Sequence, residues 1–205
     1  TKAPKGFIID TQSQTIQVKE GRTVTLTFKN QPKGQLIIQK RDSVTNQPLS
    51  GAEFRVTTAA GCEVGLDGVI GTSTLTQNGI FTTDGDGEIR LTNLAPGAYV
   101  ITELKAPAGY VIDQPSTNVV IGANGDTQTV VIKNSPKGSL VIVKKDASSN
   151  KPLEGVEFTV TTSSGKFVSN AEGQISSNGV YYTDENGQIT ITGLEPDTYI
   201  VKETQ

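Results

Sequence analysis

Two polar residues occupy positions where the sequence pattern asks for apolar ones. In GQLIIQKRD, which opens at Gly34, an extended chain puts Leu36, Ile38 and Lys40 on one face and Ile37, Gln39 and Arg41 on the other. In TVVIKN, Asn134 is in phase with Val130 and Ile132. Lys40 and Asn134 are therefore both expected to point into an apolar layer, which is costly unless they pair. Burial disfavours the charged form of an amine, so a lysine in such surroundings presents a neutral nucleophile. The same dry environment raises the pKa of a carboxyl group, which can then carry a proton to a nearby amide.

Other chemistry is largely excluded by composition. The chain has no His and a single cysteine, Cys62. It cannot form a His or Cys metal site, a Ser-His-Asp triad or an internal disulfide, and no cofactor is implied. A formal net charge of -3 without a basic run lacks the electrostatic footprint of a nucleic-acid binder. No apolar run approaches the length of a membrane span, so this segment is not expected to insert in a membrane. TDGDGE at Thr83–Glu88 faintly resembles a calcium loop, but TDENGQ at Thr183–Gln188 lacks its Asp spacing, which favours a simple Asp-Gly turn. Glu53 and Glu157, each in G-x-E-F, read as surface or strand-edge residues, and Cys62 as a free thiol.

The elements that must hold Lys40 and Asn134 are short strands. Val, Ile and Thr dominate the apolar-periodic stretches, Gly and Pro are frequent, and Trp and Met are absent. An all-β chain of small modules follows. The modules repeat: Gly34–Thr58 aligns without gaps on Gly138–Thr162 at an offset of 104, and Asn78–Glu103 aligns on Asn178–Glu203 at an offset of 100. The first copy thus carries four extra residues in the loop between Gly61 and Gln77. A third match, of Thr1–Gly34 on Leu104–Gly138, sets the frame. Residues 1–30 read as the C-terminal half of a preceding repeat, 34–134 as a complete repeat, and 138–205 as the N-terminal part of a following one. The opening residues carry no signal-peptide pattern, so the chain is expected to begin within a longer array. The linkers Gln31–Gly34 and Ser135–Gly138 each contain a Pro and are too short for free tumbling, so the modules are expected to stack as a rod.

GQLIIQKRD, ITELKAPAGY and VVIKN together resemble the CnaB-type (SpaA-type, prealbumin-like) domains of Gram-positive surface adhesins and pilins. In that pattern a first strand ends in K-x-D, a late strand carries Glu followed by APxGY, and the last strand ends in Asn. The resemblance covers essentially the whole chain. It implies tandem prealbumin-like, Ig-like Greek-key β-sandwiches, one complete and two half modules, on a bacterial cell surface or cell wall. It also implies an intramolecular isopeptide bond between Lys40 and Asn134, with ammonia leaving and Glu103 shuttling protons. That reaction occurs once per domain, so the protein is not expected to be an enzyme with turnover. A dry site would hold the groups at contact distance and make the exchange intramolecular. The alternative is that the three residues form a buried, unreacted salt-bridge and hydrogen-bond cluster. A covalent link would close a loop of about 95 residues, worth about 4 to 5 kcal/mol if estimates for disulfides transfer. Small extracellular modules without disulfides need such a staple.

The half modules are complementary. Residues 138–205 hold Lys144 and Glu203 but lack the last strands and their Asn, whereas residues 1–30 supply KAPKGF and LTFKN with Asn30. Two outcomes follow: the tail of one copy completes the head of the next, with Asn30 bonding to Lys144 and Glu203 catalysing, or the ends belong to a longer array. The expected partners are neighbouring repeats or other copies joined head to tail. A second functional reading is an adhesin domain that recognises a host protein or glycan through the 59–77 loop.

Overall fold

A computed structural model describes residues 2–10, 13–71, 79–168, 172–173, 176 and 178–204. The chain is all-β, with no helix among these residues. Part of the 59–77 loop, residues 72–77, lies outside them.

The strands are β1 (Phe7–Ile9), β2 (Asn30–Pro32), β3 (Gly34–Asp42), β4 (Glu53–Thr58), β5 (Phe81–Thr82), β6 (Glu88–Leu94), β7 (Gly97–Lys105), β8 (Tyr110–Ile112), β9 (Ser116–Ile121) and β10 (Thr127–Pro136). They continue as β11 (Gly138–Val143), β12 (Glu157–Thr162), β13 (Glu172–Gly173), β14 (Val180–Tyr182), β15 (Gln188–Leu194) and β16 (Tyr199–Glu203). Two compact units form, one from residues 1–108 and 112–134, the other from 109–111 and 135–205.

In the first unit one sheet places β6, β3 and β10 side by side, and the other runs β5-β4-β7-β9. The strict alternation in β3 buries Leu36, Ile38 and Lys40 and leaves Ile37, Gln39 and Arg41 less covered. Leu36, Ile38, Ile89, Leu91 and Ile132 from one sheet meet Phe54, Val56, Tyr99, Ile101, Val119 and Ile121 from the other. Two inner faces packed in this way make a β-sandwich. The first and last strands, β3 and β10, are parallel neighbours, with Lys40 opposite Ile132 and Asp42 opposite Asn134. Ser135 and Pro136 continue β10, while Gln31 and Pro32 lie in β2.

Among its described residues, the second unit repeats this plan without its last strands. Its sheets are β11-β15-β13 and β14-β12-β16, with a smaller core around Ile142, Phe158, Val160, Tyr181, Ile189 and Ile191. Val201, which takes the place of fully buried Ile101, is 39% exposed. Residues 13–29, whose sequence alternates like a strand pair, adopt no strand, and Ile16, Val18, Val24, Leu26 and Phe28 are exposed. A strand pair lacking a sheet to complete its ladder has little to hold it extended.

Gly34 separates the two units experimentally. A Cβ there would sit 2.5 Å from both the Asp126 carbonyl oxygen and Ile121 Cγ2, at the turn joining β9 to β10. At Gly138 the nearest atom would be the Leu194 carbonyl oxygen at 3.8 Å. Gly34→Ala is therefore expected to destabilise the first unit by about 1–3 kcal/mol. Gly138→Ala should change the second by no more than about 0.5 kcal/mol. Urea unfolding of both variants, followed by amide exchange in each unit, checks the contrast.

Candidate functional site

Lys40, Glu103 and Asn134 converge from three strands. Lys40 lies on β3 and Asn134 on β10 in one sheet, and Glu103 on β7 in the facing sheet. Lys40 and Asn134 are fully buried and Glu103 is 4% exposed. Lys40 Nζ donates to Glu103 Oε2 at 2.9 Å and to Asn134 Oδ1 at 2.5 Å. Asn134 Nδ2 donates to Glu103 Oε1 at 2.6 Å. The three groups thus close a triangle in which each side chain touches the other two. Charge-assisted hydrogen bonds of this kind offset part of the cost of burying an ion pair.

The backbone around each residue fixes the triangle. Lys40 N donates to the Gly87 carbonyl at 2.7 Å, and Leu49 N donates to the Lys40 carbonyl at 2.9 Å. Gly87 has φ 72°, and a Cβ on it would fall 2.6 Å from the Lys40 carbonyl oxygen. Only glycine both adopts this conformation without strain and allows so close an approach. The neighbouring Asp84 carboxylate caps the same turn by accepting from Asp86 N and Glu88 N, so the TDGDGE segment is a turn that pins the lysine. Glu103 N donates to the Pro115 carbonyl, and the Asn134 carbonyl accepts from Ser43 N at 2.9 Å.

Burial pushes the Lys40 amine below its ordinary value, while the hydrogen bond and charge of Glu103, and more weakly the charge of Asp113, act in the opposite direction. The amine also lies 5.9 Å from the centre of the buried Phe54 ring, which pairs with Glu103 across β4 and β7. Phe54 was not singled out by sequence reasoning. The signal was present, since both repeats carry G-x-E-F, and Glu53 of that motif instead meets Lys105 at the surface.

The second unit forms the same pair without its third member. Lys144 Nζ donates to Glu203 Oε2 at 2.9 Å, yet the side chains are 29% and 43% exposed. Lys144 lies just past the end of β11 and is only partly buried, and among the described residues no strands equivalent to β9 and β10 cover it. Asn30 lies in the first unit, exposed at the start of β2 and opposite Ile9. Cys62 is exposed and free. Among the described residues, no three His, Cys, Asp or Glu side chains group in a way that could hold a metal ion.

A family model for the SpaA prealbumin-like fold domain matches residues 34–136 and 138–205. Among solved structures, the Streptococcal ancillary pilin is similar at 23% identity over 98% of this chain and 65% of its own, with a TM-score of 0.52. The Bacillus anthracis TIE protein is 27% identical over 100% of this chain and 35% of its own, with a TM-score of 0.49. The group B streptococcus pilus 2b backbone protein is 27% identical over 56% of this chain and 46% of its own, with a TM-score of 0.44. The chain thus spans between about a third and two thirds of the length of these proteins. Comparison with curated proteins finds no match.

The lowered Lys40 pKa predicts a pH dependence in an Asn134→Ala variant, which keeps the ion pair. Between the folded pKa and the ordinary lysine value of 10.5 the unfolded chain binds more protons, so stability should rise with pH through that window and level off above it. Urea unfolding should therefore find Asn134→Ala gaining stability, relative to Lys40→Met combined with Asn134→Ala, as the pH approaches 10.5. A flat or falling difference would contradict the assignment.

Proposed function

The chain belongs to the SpaA-type prealbumin-like domain family, and from that premise we propose that it is a structural, pilin-like repeat of an extracellular cell-surface stalk that locks itself with a Lys40–Asn134 isopeptide bond. The observation that carries this reading is the closed, buried triangle of amine, carboxylate and side-chain amide.

The neutral Lys40 amine attacks Asn134 Cγ. Glu103 Oε2 faces the amine and takes its proton, and Oε1 faces the amide nitrogen and returns one to it. Nζ–Cγ forms, Cγ–Nδ2 breaks, and one ammonia leaves. The active groups are consumed, so the reaction is maturation and not turnover. Water exclusion and contact distances convert an otherwise very slow amide exchange into an intramolecular step.

The bond joins the parallel first and last strands. Load entering at β3 then passes to β10 through the link, and the residues between Lys40 and Asn134 stay folded. In a pulling experiment on the whole chain, Lys40→Ala should add about 300 Å of contour length over wild type, the extended span of the 94 residue steps from 40 to 134. Equal contour lengths would sink the load-path reading.

The exposed Lys144–Glu203 pair reads as the same site awaiting an asparagine strand. Residues 13–30 of a second copy are a candidate donor, since Ile16, Val18, Leu26 and Phe28 match the inward positions of Val119, Ile121, Val130 and Ile132, and Asn30 matches Asn134. Denaturing electrophoresis should then yield a ladder that Lys144→Ala and Asn30→Ala both abolish; a lone monomer band rejects the second copy as donor. Exposed Val69 and Ile70 in the 59–77 loop favour a second reading, a ligand-binding adhesin surface, tested by whether loop replacement abolishes attachment to host protein or glycan.

A further inference from the structure

The triangle orients the asparagine side chain and the ladder with β3 carries its strand, while the asparagine carbonyl is held by a turn that follows β3. Asp42 ends β3 and is only 5% exposed. Its Oδ1 accepts from Val44 N at 2.7 Å and Thr45 N at 2.8 Å. Its carbonyl accepts from Asn46 N at 3.0 Å, and its own N–H donates to the Gln47 carbonyl at 2.9 Å. Asn46 completes the reversal at φ 61°. A side-chain acceptor that gathers successive backbone N–H groups builds a rigid turn from local bonds. Its product is the direction of Ser43 N, which donates to the Asn134 carbonyl at 2.9 Å.

We infer that Asp42 is a positioning residue for isopeptide formation: it sets the turn that captures the Asn134 carbonyl and so fixes where the reactive amide enters the triangle. The second unit provides a control. There Asp146 Oδ1 accepts from Ser148 N at 3.1 Å and Ser149 N at 2.6 Å, the Asp146 carbonyl accepts from Asn150 N at 3.0 Å, and Asn150 sits at φ 58°. The same turn is complete, yet the described residues of 138–205 include no strand equivalent to β10. The turn therefore does not depend on the asparagine strand for its shape. It is a preformed receptor, with Ala147 at the position of Ser43.

This role rests on the Lys40–Asn134 bond proposed above, and it concerns rate. A displacement of about 1 Å at a reacting group can cost about a hundredfold, so loss of the turn should slow bond formation by at least about tenfold. The test follows the full chain during cell-free synthesis, with time-resolved intact mass reading the loss of one ammonia. Asp42→Ala should form the bond at least about tenfold more slowly than wild type, and Asp42→Asn, which keeps the Oδ1 acceptor, should restore most of the rate. Ser43→Pro removes the capturing N–H while leaving the Asp42 carboxylate, and should slow the bond as Asp42→Ala does. Far-UV dichroism of each variant reports folding at the same time points, so that Ser43→Pro decides the matter if Asp42→Ala does not fold. Bond formation at the wild-type rate in folded Asp42→Ala or Ser43→Pro overturns the positioning role alone. Wild type that never loses ammonia overturns the bond, and the positioning role with it.

Discussion

A lysine amine held in a dry core against one carboxylate and one amide is the constraint on which the first unit depends. An isolated charge there would be prohibitive, and even a single ion pair recovers only part of its desolvation cost. The asparagine amide completes the set by accepting from the amine and donating to the carboxylate. Three strands from two sheets must therefore meet within hydrogen-bond distance. The turn at Gly87, the carbonyl of Pro115 and the turn at Asp42 each fix one of them.

The second unit separates distance from environment. Lys144 and Glu203 approach as closely as Lys40 and Glu103, at 2.9 Å in both cases. They differ in exposure, 29% and 43% against 0% and 1%. Exposed ion pairs contribute little and are screened by solvent, whereas enclosure is what disfavours the protonated amine. The strands that carry the asparagine are also the strands that exclude water. In the proposed reaction, delivery of the acyl donor and activation of the nucleophile would thus coincide, which would limit it to a completed sandwich.

Much of this was legible in the sequence because strand geometry has a period of two. Alternation alone placed Lys40 with Leu36 and Ile38, and Asn134 with Ile132, on the buried face, whereas Glu103 was reached only through the resemblance to the SpaA-type pattern, in which a Glu precedes APxGY. Phe54 beneath the amine was harder to see, since nothing in one strand's pattern tells which aromatic of the facing sheet lies opposite. The capture of Asn134 by Ser43 depends on the parallel pairing of β3 with β10, a contact across 91 residues of chain that no local signal encodes. Alternation also overstated order where partners were lacking: residues 13–29 have strand periodicity without forming strands, and Lys144 has an inward phase without burial. A periodic pattern states which face an element would bury, and a neighbouring sheet decides whether it does.

The central claim is a covalent bond between Lys40 and Asn134, and the most direct measurement is tandem mass spectrometry of a proteolytic digest of the denatured wild-type chain. The account predicts a branched peptide joining the Lys40 and Asn134 fragments, lighter than their combined mass by one ammonia and absent from Lys40→Ala. Two linear peptides of unmodified mass, with Lys40 and Asn134 intact, would contradict it.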